Sequence, residues 1–167
     1  DGSAYWVDST ISPILDANDN VIEYLAIRTD ITKLMKQKAK LVNMLYTDQL
    51  TGLKNRNALI DDLKSLNHPS VIMLNIDNFS QLNDFYGHKF GDRLLVGFSN
   101  ILTEYIETEE SSSAYRLNGD EFIVLCSDMG LGGTIKIAHD IVEIFNKRAI
   151  LIDAEEIILS VTASISN

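Results

Sequence analysis

The stretch that decides the fold is Arg116-Leu-Asn-Gly-Asp-Glu-Phe122, set among apolar residues on both sides. Asn-Gly between apolar segments is the strongest short-range hairpin signal, because both residue types tolerate positive φ. The spacing therefore predicts strands over Ala114–Leu117 and Phe122–Cys126, joined by a tight turn at Asn118-Gly119. Two acids, Asp120 and Glu121, follow the turn at once. Read as structure, they are solvated acids at a strand end. Read as chemistry, they are oxygen donors carried by a fixed turn.

Working outward, the chain alternates in type. Ser70–Ile76 (SVIMLNI) reads as a buried strand, and Asn57–Leu66 as a helix with Leu59, Leu63 and Leu66 on one face. Gly91–Thr108 is an amphipathic helix through Leu94, Leu95, Phe98, Leu102 and Tyr105. Thr134–Arg148 is a helix that buries Ile137, Ala138, Ile141, Val142 and Phe145, and a last strand runs over Ile157–Ile165. A hairpin inside this helix–strand order predicts an α+β fold, with helices covering an antiparallel or mixed sheet. Adjacent strands of such a sheet can bring the end of its first core strand, Asn75-Ile76-Asp77, close to Asp120 and Glu121. An all-oxygen donor set suits Mg²⁺, which binds through one or two carboxylates and substrate phosphates. That arrangement fits metal-assisted transfer on a nucleotide.

Before this region, Tyr5–Leu15 and Val21–Asp30 read as two strands around the turn formers Asp16-Ala-Asn-Asp-Asn20, with Trp6 and Tyr24 as anchors. A lone hairpin is marginal in water, so it belongs to a larger sheet. From Ile31 to Tyr46 the period changes: Ile31, Leu34, Lys38, Leu41 and Leu45 follow a 3-4-3-4 spacing. This is either one strand of a coiled coil or an ordinary amphipathic helix.

The charge balance, 24 acids against 14 bases for a net −10, argues against a nucleic-acid-binding surface. A small anionic nucleotide would need a local device such as Mg²⁺ or a helix N-terminus. The hydrophobic fraction of 46% supports a packed core, and one cysteine, Cys126, excludes an intramolecular disulfide. Cys126 lies in an apolar run and reads as a small core residue. Nothing reaches the length of a membrane span, and no signal peptide is present. The chain starts at Asp1 within a strand-like pattern and ends at Ser166-Asn167 just after another, so it reads as a piece of something longer, with an anchor or further domain left open.

From Asp48 the chain resembles the GGDEF family, the diguanylate cyclase domain. The matching residues are DQLTGLKNR (Asp48–Arg56), NIDNFSQLNDFYGHKFGD (Asn75–Asp92) and RLNGDEF (Arg116–Phe122). The first thirty residues, with YWVDSTISPILD and the exit RTDIT, resemble the C-terminal hairpin of a PAS sensor domain. The resemblance implies three parts: a PAS hairpin over 1–30, a signalling helix over 31–46, and a GGDEF domain over 47–167 that lacks its C-terminal part. It implies a GGDEF-type, ferredoxin-like or palm-like sheet, and a bacterial, cytoplasmic protein of cyclic di-GMP signalling. The family condenses two GTP into cyclic di-GMP, one GTP on each subunit of a homodimer, here formed through the Ile31–Tyr46 helix. By position, Asn83, His88 and Asp92 match residues that contact the guanine and ribose. Asp120 matches the acid that binds metal and accepts a proton, Glu121 the second signature acid, and Ile76 the residue that lends a backbone carbonyl to Mg²⁺. As plain structure, Asn83 and Asp92 would be helix caps and His88 a loop residue.

The chain also departs from the family pattern. Asn75 stands where the family has a metal-binding Asp, a loss of charge worth several kcal/mol in a partly buried site. Asp77 lies two residues on and faces the same side of an extended strand, so a partial substitution by it is open. Ser80 replaces a lysine that stabilises transition-state charge, and such a loss costs orders of magnitude in rate. Asn118 replaces the first signature glycine, while Glu109 and Ser112 replace the Arg and Asp of the product-inhibition site. The resemblance therefore implies a degenerate GGDEF domain that binds GTP and regulates, with a phosphodiesterase domain as a further partner. An active diguanylate cyclase, and a dimerising signal relay with a vestigial pocket, remain open beside it.

Overall fold

The computed structural model describes residues 4–166, so residues 1–3 and Asn167 lie outside the described residues. The chain divides into two compact units, Asp1–Asn43 and Met44–Asn167. No helix among the described residues is long and apolar enough to cross a membrane.

The first unit is a hairpin followed by a helix. Strands β1 (Val7–Leu15) and β2 (Val21–Asp30) pair antiparallel from Val7↔Asp30 to Leu15↔Val21. The Asp16 carboxylate accepts from the backbone N–H of Asn18 at 2.8 Å and of Asn20 at 2.9 Å, which closes the expected turn. The expected anchors are not buried: Trp6 is 60% exposed and Tyr24 65%. A two-stranded ribbon offers no second layer, so neither face of it shelters an aromatic ring. Trp6 is instead held through its backbone, donating to Thr32 Oγ1 at 2.9 Å and accepting from the Ile31 N–H at 3.0 Å. Helix α1 (Thr32–Tyr46) begins where Asp30 Oδ1 accepts from the Thr32 N–H at 2.8 Å. Its Leu34, Leu41 and Leu45 are all exposed.

The second unit runs α2 (Arg56–Ser65), β3 (Ser70–Ile76), α3 (Phe79–Tyr86), α4 (His88–Ile106), β4 (Ser112–Asn118), β5 (Glu121–Cys126), α5 (Gly130–Lys147), β6 (Ile150–Ile152), β7 (Glu155–Ile157) and β8 (Val161–Ser166). Its main sheet has the order β4-β5-β3-β8, with every neighbouring pair antiparallel. Along β3 the strand period of two sorts the side chains to two faces. Ile72, Leu74 and Ile76 pack with Phe98 and Leu102 of α4 and with Ile141 and Phe145 of α5. Phe98 centres this layer, with its ring 4.0 Å from that of Phe145 and 4.4 Å from that of Phe122. Val71 and Met73 face the other way and pack with Ala58 and Leu59 of α2, beside Tyr115 and Ile123. Helices on both faces of one antiparallel sheet make the α+β fold that the sequence predicts.

Three expectations need correction. Phe79–Tyr86 is a helix that the pattern did not announce, so Asn83 lies inside α3 and Asp92 inside α4, neither acting as a cap, while His88 opens α4. The Ile157–Ile165 segment is not one strand, because β6 and β7 form a hairpin that ends at Ile157 and β8 starts only at Val161. Its turn residues Asp153 and Ala154 both adopt positive φ, at 51° and 69°, which an alanine seldom signals. The signature turn is also displaced by one residue, as described next.

Candidate functional site

The signature hairpin is shaped by a bulge. The β4–β5 ladder runs from Ser112↔Cys126 to Arg116↔Phe122, then shifts so that Asn118 pairs with Glu121. The turn residues are thus Gly119 and Asp120 rather than Asn118 and Gly119, and Gly119 takes the positive φ, +48°. An extra residue in one strand is what displaces the turn.

Arg116 fixes that turn from beneath. Its side chain is buried, and its Nε and Nη2 donate to the Gly119 carbonyl at 3.0 and 2.8 Å. Its Nη1 donates to Asp48 Oδ1 at 2.9 Å. The same Asp48 oxygen accepts from the Thr51 backbone N–H at 2.9 Å and the Thr51 hydroxyl at 2.6 Å. Burial pushes the Asp48 carboxyl up, but the hydrogen bonds from Thr51 and Arg116, with the Arg116 charge, outweigh it and leave the pKa below its ordinary value. The loop from Asp48 to Asn55 and the turn at Gly119 thereby form one hydrogen-bonded body. The sequence placed both residues in matching motifs but gave neither a role.

Beside this turn the sheet juxtaposes the expected oxygen donors. Asn75 lies directly opposite Glu121 on β5 and opposite Thr162 on β8. Directly opposed residues have Cβ atoms about 5 Å apart, so the amide and the carboxylate share one face. Asp120 occupies the turn next to Glu121, and Ile76 ends β3 one residue past its last pair with β5. Asp77 is held by two hydroxyls of the neighbouring strand and its approach. Its Oδ2 accepts from the Ser160 hydroxyl at 2.5 Å and its Oδ1 from the Thr162 hydroxyl at 2.8 Å. Those two bonds hold its pKa below the ordinary value. Asp77 thereby secures the start of β8 through Ser160 and through Thr162, the residue that faces Asn75. Among the described residues, the acid-and-histidine group whose ligand atoms lie within 4.8 Å of one another is His139, Asp140 and Glu143 on α5, not Asp77 with Asp120 and Glu121. The Asn75, Asp120, Glu121 and Ile76 oxygens fit a hard cation such as Mg²⁺ in kind, with one negative charge fewer than an Asp at 75 would supply.

The remaining candidates sit on the helix pair α3–α4. His88 and Asp92 are exposed on the first turns of α4, and Ser80 is exposed on α3. Asn83 Oδ1 is a buried side-chain oxygen with no hydrogen-bond partner. Such orphans are uncommon, and an acceptor held ready for a donor is one explanation. Tyr86 stacks on Phe90 at 4.4 Å, which ties the end of α3 to the first turn of α4. A groove of about 790 Å³ between α4 and α5, lined by Tyr105, Asp140 and Lys147, contains none of the candidate residues. The candidate site is instead an open rim at the ends of β3 and β5.

Comparison with known proteins agrees with this geometry. The family model described as "Diguanylate cyclase, GGDEF domain" matches residues 45–166. Cyclic di-GMP phosphodiesterase PdeR of Escherichia coli K12 is 38% identical over 115 residues, which is 65% of this chain and 17% of that protein. Diguanylate cyclase VdcA of Vibrio cholerae serotype O1 is 36% identical over 110 residues, 64% of this chain and 32% of that protein. The chain thus spans no more than a third of either relative. The crystal structure of the coiled coil and GGDEF domain of DgcB from Caulobacter crescentus, in complex with c-di-GMP, superposes with a TM-score of 0.71 at 19% identity, covering 81% of this chain and 75% of that one.

Proposed function

Because this chain belongs to the GGDEF family of diguanylate cyclase domains, we propose that it is a cyclic di-GMP signalling module that binds GTP and regulates, with weak or no turnover. The observation that carries this reading is the pair Asn75–Glu121, where an amide faces the signature acid at the metal end of the site. An amide oxygen ligates without adding charge, so the attraction for a divalent ion is weakened where catalysis needs it most. Ser80, in place of a cation, leaves developing phosphate charge without a fixed partner.

In this reading, Asn83 and Asp92 offer acceptors to the N–H edge of guanine, and His88 flanks the ribose. Asp120, Glu121, Asn75 and the Ile76 carbonyl would hold Mg²⁺, which supplies phosphate polarisation when bound. Asp120 accepts the proton from the attacking hydroxyl, a role set by its place on the turn that Arg116 fixes. The weakness lies in the missing charge at 75 and 80, not in the shape of the turn.

Two further assignments complete the proposal. The exposed leucine stripe of α1 supports homodimerisation through that helix. The apolar residues exposed along both strands of the β1–β2 hairpin support its membership of a PAS sheet that covers them. A phosphodiesterase domain is the partner to which such a module would report.

Titration calorimetry with GTP and Mg²⁺, and with ATP as the control purine, tests the central point. The proposal expects saturable GTP binding that Asp92→Ala and Asn83→Ala weaken, while ATP binds poorly. Absence of GTP binding would leave dimerisation and relay as the function.

A further inference from the structure

The Asn83 amide lies against the backbone of Gly91. Gly91 is buried within α4, and its φ lies outside the left-handed region, so its backbone does not require a glycine. Its surroundings do. A Cβ at Gly91 would lie 1.9 Å from Asn83 Oδ1, 2.9 Å from Asn83 Cγ and 3.2 Å from Cζ of the buried Phe79. The first two distances are far inside van der Waals contact, and Phe79 closes the space behind.

We infer that Gly91 is a positioning residue for base recognition: the side chain it lacks is the space that the Asn83 amide occupies. The inference rests on the reading of Asn83 as a base-binding group. Glycine inside a helix weakens it relative to alanine, so this position gives up helix stability for something other than backbone freedom. The two atoms that a methyl would strike hardest are the tip of one short side chain, which can rotate away, while Phe79 Cζ at 3.2 Å need give only by a few tenths of an ångström. Alanine is therefore compatible with the fold and incompatible with the amide's place. A structural role and a positioning role predict opposite outcomes here. If Gly91 served only packing, alanine would unfold the protein or change nothing. If it positions Asn83, alanine leaves the fold intact and removes recognition.

The test compares wild type, Gly91→Ala, Asn83→Ala and the double variant in three measurements. Calorimetry with Mg²⁺ gives the affinities for GTP and ATP, thermal melting reports the fold, and NMR reports the contact between the Asn83 side-chain amide and Gly91 Hα. Gly91→Ala should melt at or above the wild-type temperature. It should bind GTP roughly tenfold more weakly, the scale of one lost polar contact. Its preference for GTP over ATP should fall to that of Asn83→Ala. In the Asn83→Ala background the glycine change should add no further loss, because the two residues act through one contact. The NMR contact, present in wild type, should vanish in Gly91→Ala, with the amide resonances moved toward solvent-exposed values. Unchanged GTP affinity in Gly91→Ala, or losses that add in the double variant, would overturn the inference. If wild type binds no GTP, the functional reading fails and the NMR comparison decides alone. A displaced amide then supports the positioning role, and an unmoved one refutes it.

Discussion

Arg116 and Asp48, 68 positions apart in sequence, meet through Arg116 Nη1 and Asp48 Oδ1 at 2.9 Å. Their side chains retain 10% and 25% of their exposure, so the pair is shielded from most of the solvent. Arg116 also grips the Gly119 carbonyl with two further N–H groups, which links the first motif of the domain to the turn that carries Asp120. Breaking a shielded pair leaves an unmatched charge, so Arg116→Ala should cost roughly 3 kcal/mol in urea denaturation. Arg116→Lys should rescue little, since an ammonium cannot reproduce the fork that reaches both partners.

Asp77 gives a prediction of the opposite kind. Both of its oxygens accept hydroxyl donors at the start of β8, so Asp77→Ala should lower stability by about 1–2 kcal/mol. The same variant should leave the Mg²⁺ dependence of GTP binding unchanged. A loss of Mg²⁺ affinity with intact stability would place Asp77 among the metal ligands after all.

Several carboxylates set the pH dependence. Asp48 is lowered by Thr51 and Arg116 against the upward push of burial, Asp61 by Lys64 and Tyr46, Asp62 by Lys54 and Tyr115, and Asp77 by Ser160 and Thr162. Each folded-state pKa lies below the unfolded value of about 4. Their stabilisation is therefore fully present above about pH 4 and is lost as the pH falls through the folded values. Urea midpoints should stay level from neutral pH down to about 5 and drop steeply below about 4. Asp48→Asn should make that drop shallower. A midpoint unchanged to about pH 3 would contradict the account.

Gly97 offers a control for Gly91. A Cβ there would lie 2.3 Å from Cγ2 of Ile150, a residue only 5% exposed. Unlike the Asn83 amide, this branched core side chain has no room to turn aside. Gly97→Ala should lower stability by roughly 1–2 kcal/mol despite alanine's better helix propensity. Thermal melting of the two glycine variants side by side would show one falling and the other holding.

Much of this was legible along the chain. Ser70–Ile76 announces itself as a strand by an unbroken apolar run, and α4 by its leucine and phenylalanine spacing. Neighbouring strands can bring the ends of β3 and β5 together, but the register that sets Asn75 opposite Glu121 is seen only in the structure. Helix α3 was hidden because Asn78, Ser80, Asn83 and Gly87 all resemble loop residues, and its start uses a left-handed Asn78 at φ 59°. The β6–β7 hairpin was hidden because a lone Asp153, followed by Ala154 and no glycine or asparagine, is a weak turn signal. Trp6 and Tyr24 stay exposed because the hairpin has no second layer of its own to receive them, which nothing local to either residue encodes. Arg116, Asp48 and Gly91 act through contacts with residues distant in sequence or on a neighbouring helix, which no local pattern encodes.

The central claim is that the site keeps its shape and has lost its charge. The most direct measurement is conversion of GTP to cyclic di-GMP with Mg²⁺ by wild type, Asn75→Asp, and Asn75→Asp with Ser80→Lys. The account predicts GTP binding without appreciable product in wild type, and turnover that rises by orders of magnitude as the two charges are restored. Wild-type turnover close to that of the double variant would contradict it and make this chain an active cyclase.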